Sequence, residues 1–390
     1  PTIRGYATYA LTVKLPKEHS ELGIYLRNAT TAQKLYLIQN NNIAHVWTSG
    51  NPSDDPQKGV PNAKPNLHSL GFNVNQEITL LWHISNYTIN QGGSHHPIIL
   101  DDYNLLRRNQ TQWNLLVFSA IGIIIFMGIY HLILFNQRRK DYASLWFALF
   151  CLSTAIINFI SYRLPEQILS EWTMQTWEIC YLLLSKIGWF GLLAITSTAF
   201  FVQYLLPGKH LKKWAQFITL YWFLMLLQFT IVYFLGLRSV YHSTLYKYFF
   251  AYLLPCLYFS IYLGWTYKKG ETINTKYALL FYAFLLIGTY FKKIGFVFFW
   301  FHWLVILVHL VIEFRKGEWL AKALLWSYFI FICFQLNDFL IGQGVIKGVF
   351  LTVFGALVMI LFQSFILSKN FALAFETASR LTTDLKQEVK

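Results

Sequence analysis

This chain is short of charge. Lys, Arg, Asp and Glu make up 13% of its 390 residues, about half the share usual in a soluble globular chain. That shortage argues against one soluble domain and against a disordered protein. Cysteine is scarce too. Cys151, Cys180, Cys256 and Cys333 all lie inside apolar runs. They form no Cys-x-x-Cys metal motif and no disulfide framework, and they read as small packing residues. No phosphate-binding glycine loop occurs anywhere, and no kinase or cyclase motif fits in the last twenty residues. No cofactor and no metal are expected.

What the chain has instead is hydrophobicity, 55% of residues, of which 19% of the chain is aromatic. The first hundred or so positions have the composition of soluble protein. The rest is a series of long apolar runs broken by short basic loops. That is the pattern of a polytopic helical membrane protein behind one water-exposed domain. The formal net charge of +14 sits mostly in those loops, where membrane topology explains it better than nucleic acid does.

The front part, to about residue 110, is dominated by alternation with period two. Tyr9, Leu11 and Val13 share a face, as do Leu22, Ile24 and Leu26, then Leu35 and Leu37, then Ile78, Leu80, Trp82 and Ile84. Such runs predict half-buried strands. Turn-formers separate them, among them Asn40-Asn41-Asn42 and the Pro/Asp/Gly/Asn-rich stretch 51–66. The expectation is an all-β sandwich over 1–110. Asp54-Asp55 and Asp101-Asp102 read as solvated loop charges. His95 and His96, after Gly92-Gly93, are candidate ligand-binding residues, because loops on a rigid sandwich carry binding groups.

Nine candidate spans follow, at about 113–135, 143–161, 178–206, 214–236, 246–267, 277–291, 294–314, 320–341 and 347–368. The first is long enough, at roughly 34 Å, to cross a bilayer. One set of loops is rich in cations: Arg138-Arg139-Lys140, Lys209/Lys212/Lys213, Lys268/Lys269/Lys276, Arg315/Lys316/Lys322 and Lys369. The richer set is expected to be cytoplasmic, which places the β-domain outside and the C-terminus inside, although Arg107-Arg108 opposes it. An odd span count agrees. After the last span, Phe371, Phe375, Ala378, Leu381 and Leu385 fall three and four apart. They mark an amphipathic helix over 369–390 that opens a coiled coil and pairs two copies of the chain. The chain opens at Pro1 without an initiator Met or signal sequence and stops at Lys390 inside a helical pattern, so both ends are expected to be cut.

Several of these stretches resemble a known family. Gly5-Tyr6-Ala7-Thr8-Tyr9-Ala10-Leu11-Thr12-Val13-Lys14-Leu15-Pro16 resembles the opening strand of a galactose-binding-like jelly-roll. This sandwich stands in front of bacterial seven-transmembrane receptors with diverse intracellular signalling modules. Ser85-Asn86-Tyr87, Gly92-Gly93 and Pro97-Ile98-Ile99-Leu100 are similar to its closing strands. Met127 to Phe135, then Arg138-Arg139-Lys140-Asp141 and Ser144 to Leu152, resemble the family's first helix, loop and second helix. Leu336-Asn337-Asp338-Phe339-Leu340, Phe362-Gln363-Ser364-Phe365 and Phe371-Ala372-Leu373-Ala374-Phe375 with Ser379-Arg380-Leu381 resemble its last helices and exit. The family has seven helices against nine spans here, so an inserted helical pair between about 214 and 314 is expected.

The resemblance implies a sensor in the bacterial inner membrane. It would bind an extracytoplasmic, carbohydrate-like ligand and drive a C-terminal kinase, cyclase or phosphatase, none of which lies in these residues. A transporter or channel with an extracytoplasmic binding domain is the alternative. A membrane-embedded enzyme is a third reading, with only scattered His, Asp and Glu to support it.

Polar groups at membrane depth are functional candidates. Glu178 and Lys186 share the third span, roughly 12 Å apart along its axis, too far to touch. Asn337 and Asp338 close the eighth span. Asp338 has two readings, an interfacial carboxylate or the partner of a buried cation such as Lys186 in a two-state switch. His131 lies in the first span. His302 and His309, seven apart, read as helix-packing histidines, with haem or metal ligation as the sharper alternative.

Overall fold

The computed structural model describes residues 5–16, 20–26, 29–30, 32–62, 66–71, 77–87, 93–94, 97–162, 164, 189–234, 294–342 and 345–388. The chain divides into two compact units, one carrying the strands and the other most of the helical length.

The strand unit contains β1 (Gly5–Lys14), β2 (Leu22–Leu26), β3 (Ala29–Thr30), β4 (Ala32–Gln39), β5 (Asn42–Ser49), β6 (Asn66–Gly71), β7 (Glu77–Asn86), β8 (Gly93–Ser94) and β9 (Ile99–Asp102). A four-stranded sheet runs β1-β7-β4-β5, a three-stranded sheet β6-β2-β9, and β3 pairs with β8. Every pairing is antiparallel. The period-two residues explain the arrangement. Leu35 and Leu37 of β4 stand opposite Trp82 and Leu80 of β7. With Ile78 and Ile84 they meet Leu22, Ile24 and Leu26 of the smaller sheet in one core. The turn between β4 and β5 is Asn40-Asn41, both at positive φ, 49° and 61°. That is the backbone a two-residue hairpin requires and asparagine tolerates.

Two expectations for this unit need correction. Tyr9 and Leu11 share a side with the core-facing Trp82 and Leu80, yet they are 54% and 62% exposed. β1 is an edge strand, and it is Val13, near its end, that packs against the core. Asp101 and Asp102 end strand β9 rather than lying in a loop. Asp102 accepts the Leu105 N–H at 2.7 Å and so caps the first helix. A hydrogen bond from Ser20 and these amides hold its carboxyl below the usual range.

The helices are α1 (Tyr103–Gln137), α2 (Tyr142–Ser161), α3 (Trp189–Leu205), α4 (Lys209–Phe234), α5 (Ile294–Arg315), α6 (Trp319–Gly342) and α7 (Thr352–Glu388). Among the described residues, α1, α2, α6 and α7 are long and apolar enough to cross a membrane. The spans expected at 246–267 and 277–291 lie outside the described residues. Arg107 and Arg108 lie in the first turns of α1, ahead of its apolar stretch.

Aromatic stacking fixes neighbouring helices. Tyr142 at the start of α2 faces Tyr204 at the end of α3, with ring centroids 5.4 Å apart, and one turn on Trp146 stacks on Phe200 at 4.4 Å. The two helices are therefore antiparallel. α6 and α7 approach so closely that a Cβ on Gly355 would come within 2.6 Å of Phe334. Small residues permit such contact between helices in lipid, where apolar burial alone does not choose a packing.

Candidate functional site

Among the described residues, the most heavily hydrogen-bonded carboxylate in the helical unit is Asp338, near the end of α6 and 9% exposed. One oxygen accepts the Leu351 N–H at 2.6 Å and the Asn337 amide at 3.0 Å. The other accepts the Thr352 N–H at 2.9 Å and the Thr352 hydroxyl. Helices begin with N–H groups that no turn of their own can satisfy, and a carboxylate there also meets the positive end of the helix dipole. Asp338 thus caps α7 from a different helix. Asn337 also donates to Val349 O, and the Tyr162 hydroxyl, just past α2, donates to Phe350 O at 2.9 Å. Residues 349–352 are gripped from two sides. Asp338 is therefore a hydrogen-bonded cap, and among the described residues it forms no ion pair. Lys186 and Glu178 lie outside the described residues.

A small cavity of about 50 Å³ lies beside this cap. Thr154, Asn158, Gln335 and Thr352 supply polar atoms to its wall, with Trp303 and Phe331 among the apolar ones. That volume suits one or two waters rather than an organic ligand.

Three histidines act as clips. His302 is fully buried. Its Nδ1 accepts the Trp214 indole N–H at 3.2 Å, so its proton belongs on Nε2, which reaches the Thr198 oxygen at 2.9 Å. The Thr198 hydroxyl donates onward to Ile195 O at 2.8 Å. This network assigns a neutral ring and ties α5 to α3 and α4. His309 gives Nε2–H to Leu206 O at 2.9 Å, at the end of α3. Its ring lies where a Cβ on Gly208 would be, 2.4 Å from Cε1. With its Nδ1 lone pair spent on Trp214, and its Nε2 on Thr198, His302 has no nitrogen to offer a metal or haem iron. No group of three or more ligating side chains occurs among the described residues. His131 of α1 places Nε2 3.2 Å from the Ser364 oxygen of α7 and packs edge-on to Phe147 of α2.

The opposite end of the bundle is basic. Arg138 lies over the Phe371 ring at 4.8 Å, and Lys369 over Trp319 at 4.2 Å. These cation–π contacts bind α7 to the end of α1 and the start of α6. Beyond them α7 continues unbroken, with Phe375, Leu381 and Leu385 at 75%, 58% and 60% exposure.

In the strand unit, Gly93 pairs in β8 with Thr30 of β3. Gly92, His95 and His96 lie outside the described residues. A cluster that the sequence did not single out occupies the outer face of the larger sheet. His83 Nδ1 faces the hydroxyls of Tyr6 at 2.5 Å and Thr8 at 2.7 Å. Tyr36 meets the same imidazole edge-on, and Lys34 lies over the Tyr36 ring. Burial, and then the Lys34 charge, lower the His83 pKa. These residues come from three strands, so no sequence spacing joins them.

Residues 113–292 match the family model for 7TM diverse intracellular signalling. The stretches resembling the family's first two helices fall inside that match. Those resembling the sandwich, the last two helices and the exit helix fall outside it. With the four apolar helices, the match points to a multi-pass membrane protein with a transmembrane sensor role. No curated protein matches the chain.

Proposed function

We infer that the chain is the sensor and membrane portion of a bacterial signal-transduction receptor. Residues 1–110 form an extracytoplasmic jelly-roll of the galactose-binding type and take up a carbohydrate-like small molecule, with Gly92, Gly93, His95 and His96 as candidate contacts. Residues 111–368 carry the change through the inner membrane by seven helices, or nine with an inserted pair. Residues 369–390 pair two copies and hand the signal to a cytoplasmic kinase, cyclase or phosphatase.

The observation that carries this reading is the family match across 113–292. The basic residues gathered at one end of the bundle support the orientation. The unbroken α7, apolar and packed in its first half and exposed in its second, supports the relay. Alkaline-phosphatase and fluorescent-protein fusions at positions 110 and 390 test it, with phosphatase activity expected only at 110 and fluorescence only at 390. A chimera of residues 1–390 with a reporter kinase should then respond to one member of a saccharide panel. Phosphatase activity at 390 would overturn the orientation.

A further inference from the structure

On the outer face of the larger sheet, Thr8 of β1, His83 of β7 and Lys34 of β4 stand in one row across three strands. The register of both pairings is unbroken through these positions, so the ladders rather than a loop fix the row. In the next row Ser85 and Ala32 share that outward side, yet both are buried. The chain after β5 covers them. The Ser53 N–H donates to Ser85 Oγ at 3.3 Å, and a Cβ on Gly50 would stand 3.1 Å from Ala32. The Tyr87 hydroxyl, 3.0 Å from Ser53 O and 2.8 Å from Asp54 O, pins this covering segment. The face is therefore stepped: a covered row makes a wall, and His83 and Lys34 lie at its foot with Tyr6 and Tyr36.

The foot of the step presents hydrogen-bond donors. His83 Nδ1 has two hydroxyls against it, Tyr6 at 2.5 Å and Thr8 at 2.7 Å. A neutral ring nitrogen carries either one lone pair or one hydrogen. If Nδ1 accepts, it takes one hydroxyl hydrogen and leaves the other over. If it donates, both are left over. In either tautomer at least one hydroxyl hydrogen is directed away from the ring, with no acceptor for it among the described residues. Lys34 adds an ammonium that forms no ion pair among the described residues. Burial, then Lys34, lower the His83 pKa, and no carboxylate offsets them. The acids of this region are placed elsewhere. Asp55 pairs with Lys58 at 3.4 Å, and Asp54 acts on Tyr87 in the wall. Glu77 stands opposite Lys14, six residues or about 20 Å along β7 from His83.

We propose that this stepped face binds the carboxylate of a small acidic ligand, with Lys34 supplying the opposite charge and the Tyr6 and Thr8 hydroxyls the directed hydrogen bonds. The identity of that ligand as an acidic saccharide rests on the receptor reading above. The carboxylate site itself rests on the sheet. Tyr6 offers such a ligand an apolar ring: it stacks on His83 at 5.6 Å and is 41% exposed. Because the floor is held by strand pairing on both sides of β7, little has to be ordered on binding. These contacts are independent of Gly92, Gly93, His95 and His96.

The test is equilibrium titration of the full chain in lipid nanodiscs with galacturonate, glucuronate and N-acetylneuraminate. Galactose serves as the neutral probe and benzoate as a carboxylate without a sugar. At least one sugar acid should bind saturably, and galactose should not displace it. Lys34→Met should weaken that binding about five-fold, and Lys34→Arg should restore it. Tyr6→Phe combined with Thr8→Val should weaken it by about the same factor. Failure of all three sugar acids and of benzoate to bind would overturn the proposal, as would binding that Lys34→Met leaves unchanged. Benzoate binding that depends on Lys34, with no sugar acid bound, would keep the carboxylate site and count against the saccharide reading. Sugar-acid binding lost in His95→Ala/His96→Ala but intact in Lys34→Met would place the ligand on the loop and overturn the sheet site.

Discussion

The interiors of the two units are held together differently. The sandwich core is a set of aliphatic side chains and Trp82, whose indole N–H donates to Gln33. The bundle interior holds Asn158, Thr198, His302, His309, Tyr328, Asp338 and Gln363. In water, apolar burial is strong enough to define a core. Between helices in lipid it defines little, because lipid tails are as apolar as leucine. Close packing and directional hydrogen bonds choose the arrangement instead. Asp338, His302 and His309 each tie their helix to a neighbouring one in this way.

The largest effect expected is on the sandwich side. Trp82→Ala removes the biggest core side chain and its hydrogen bond to Gln33, at a cost of about 3–5 kcal/mol. Hydrogen exchange of the full chain should show protection lost across β4 and β7. Exchange confined to β7 would mean that the sheet is held by its ladders rather than its core.

His302→Leu sharpens the contrast. It adds apolar surface to an apolar place, yet it removes the acceptor of the Trp214 indole N–H and the donor to the Thr198 oxygen. The bundle should lose about 1–3 kcal/mol, read as a lower thermal midpoint in detergent. A gain in stability would show that apolar packing, not the clip, holds α3, α4 and α5.

Gly208→Ala tests the second clip. The new methyl would meet His309 head-on, and such overpacking costs about 1–3 kcal/mol, at the lower end where a side chain can swing away. The readout is again the thermal midpoint, and His309→Ala in the same chain should relieve the clash.

Acid has the smallest effect, and it destabilises. Burial lowers the pKa of both His68 and His83 from the ordinary 6.5. Neutral rings therefore favour the fold above about pH 6.5, and stability falls as pH drops from there toward the folded values. His83→Gln should flatten part of that slope in a stability–pH profile of the full chain.

Local pattern accounts for much of this. The alternation at Leu22–Leu26, Leu35–Leu37 and Ile78–Ile84 needs no partner to announce a strand with one buried face. The Asn40-Asn41 turn was legible because only a few residue types accept positive φ. α1, α2, α6 and α7 were legible as long apolar runs, and α7 continues as one helix through residue 388, as the spacing of Phe371, Phe375, Leu381 and Leu385 required. The exposure of Tyr9 and Leu11 was not legible, since alternation says which residues share a face and not whether another sheet covers it. Asp338 was visible as an oddity at membrane depth, but its partners stand thirteen and fourteen residues on, across a stretch of no regular structure.

The sequence by itself determined which stretches are strands and which are apolar helices, and where along the chain charge is rare. Those properties depend on neighbours within a few residues, through backbone geometry and the transfer of side chains out of water. Tertiary structure alone decided that Asp338 caps α7 and that His302 spends its lone pair on Trp214. A hydrogen bond depends on tenths of an ångström between atoms on separate helices. No spacing along the chain encodes that distance until the helices have packed.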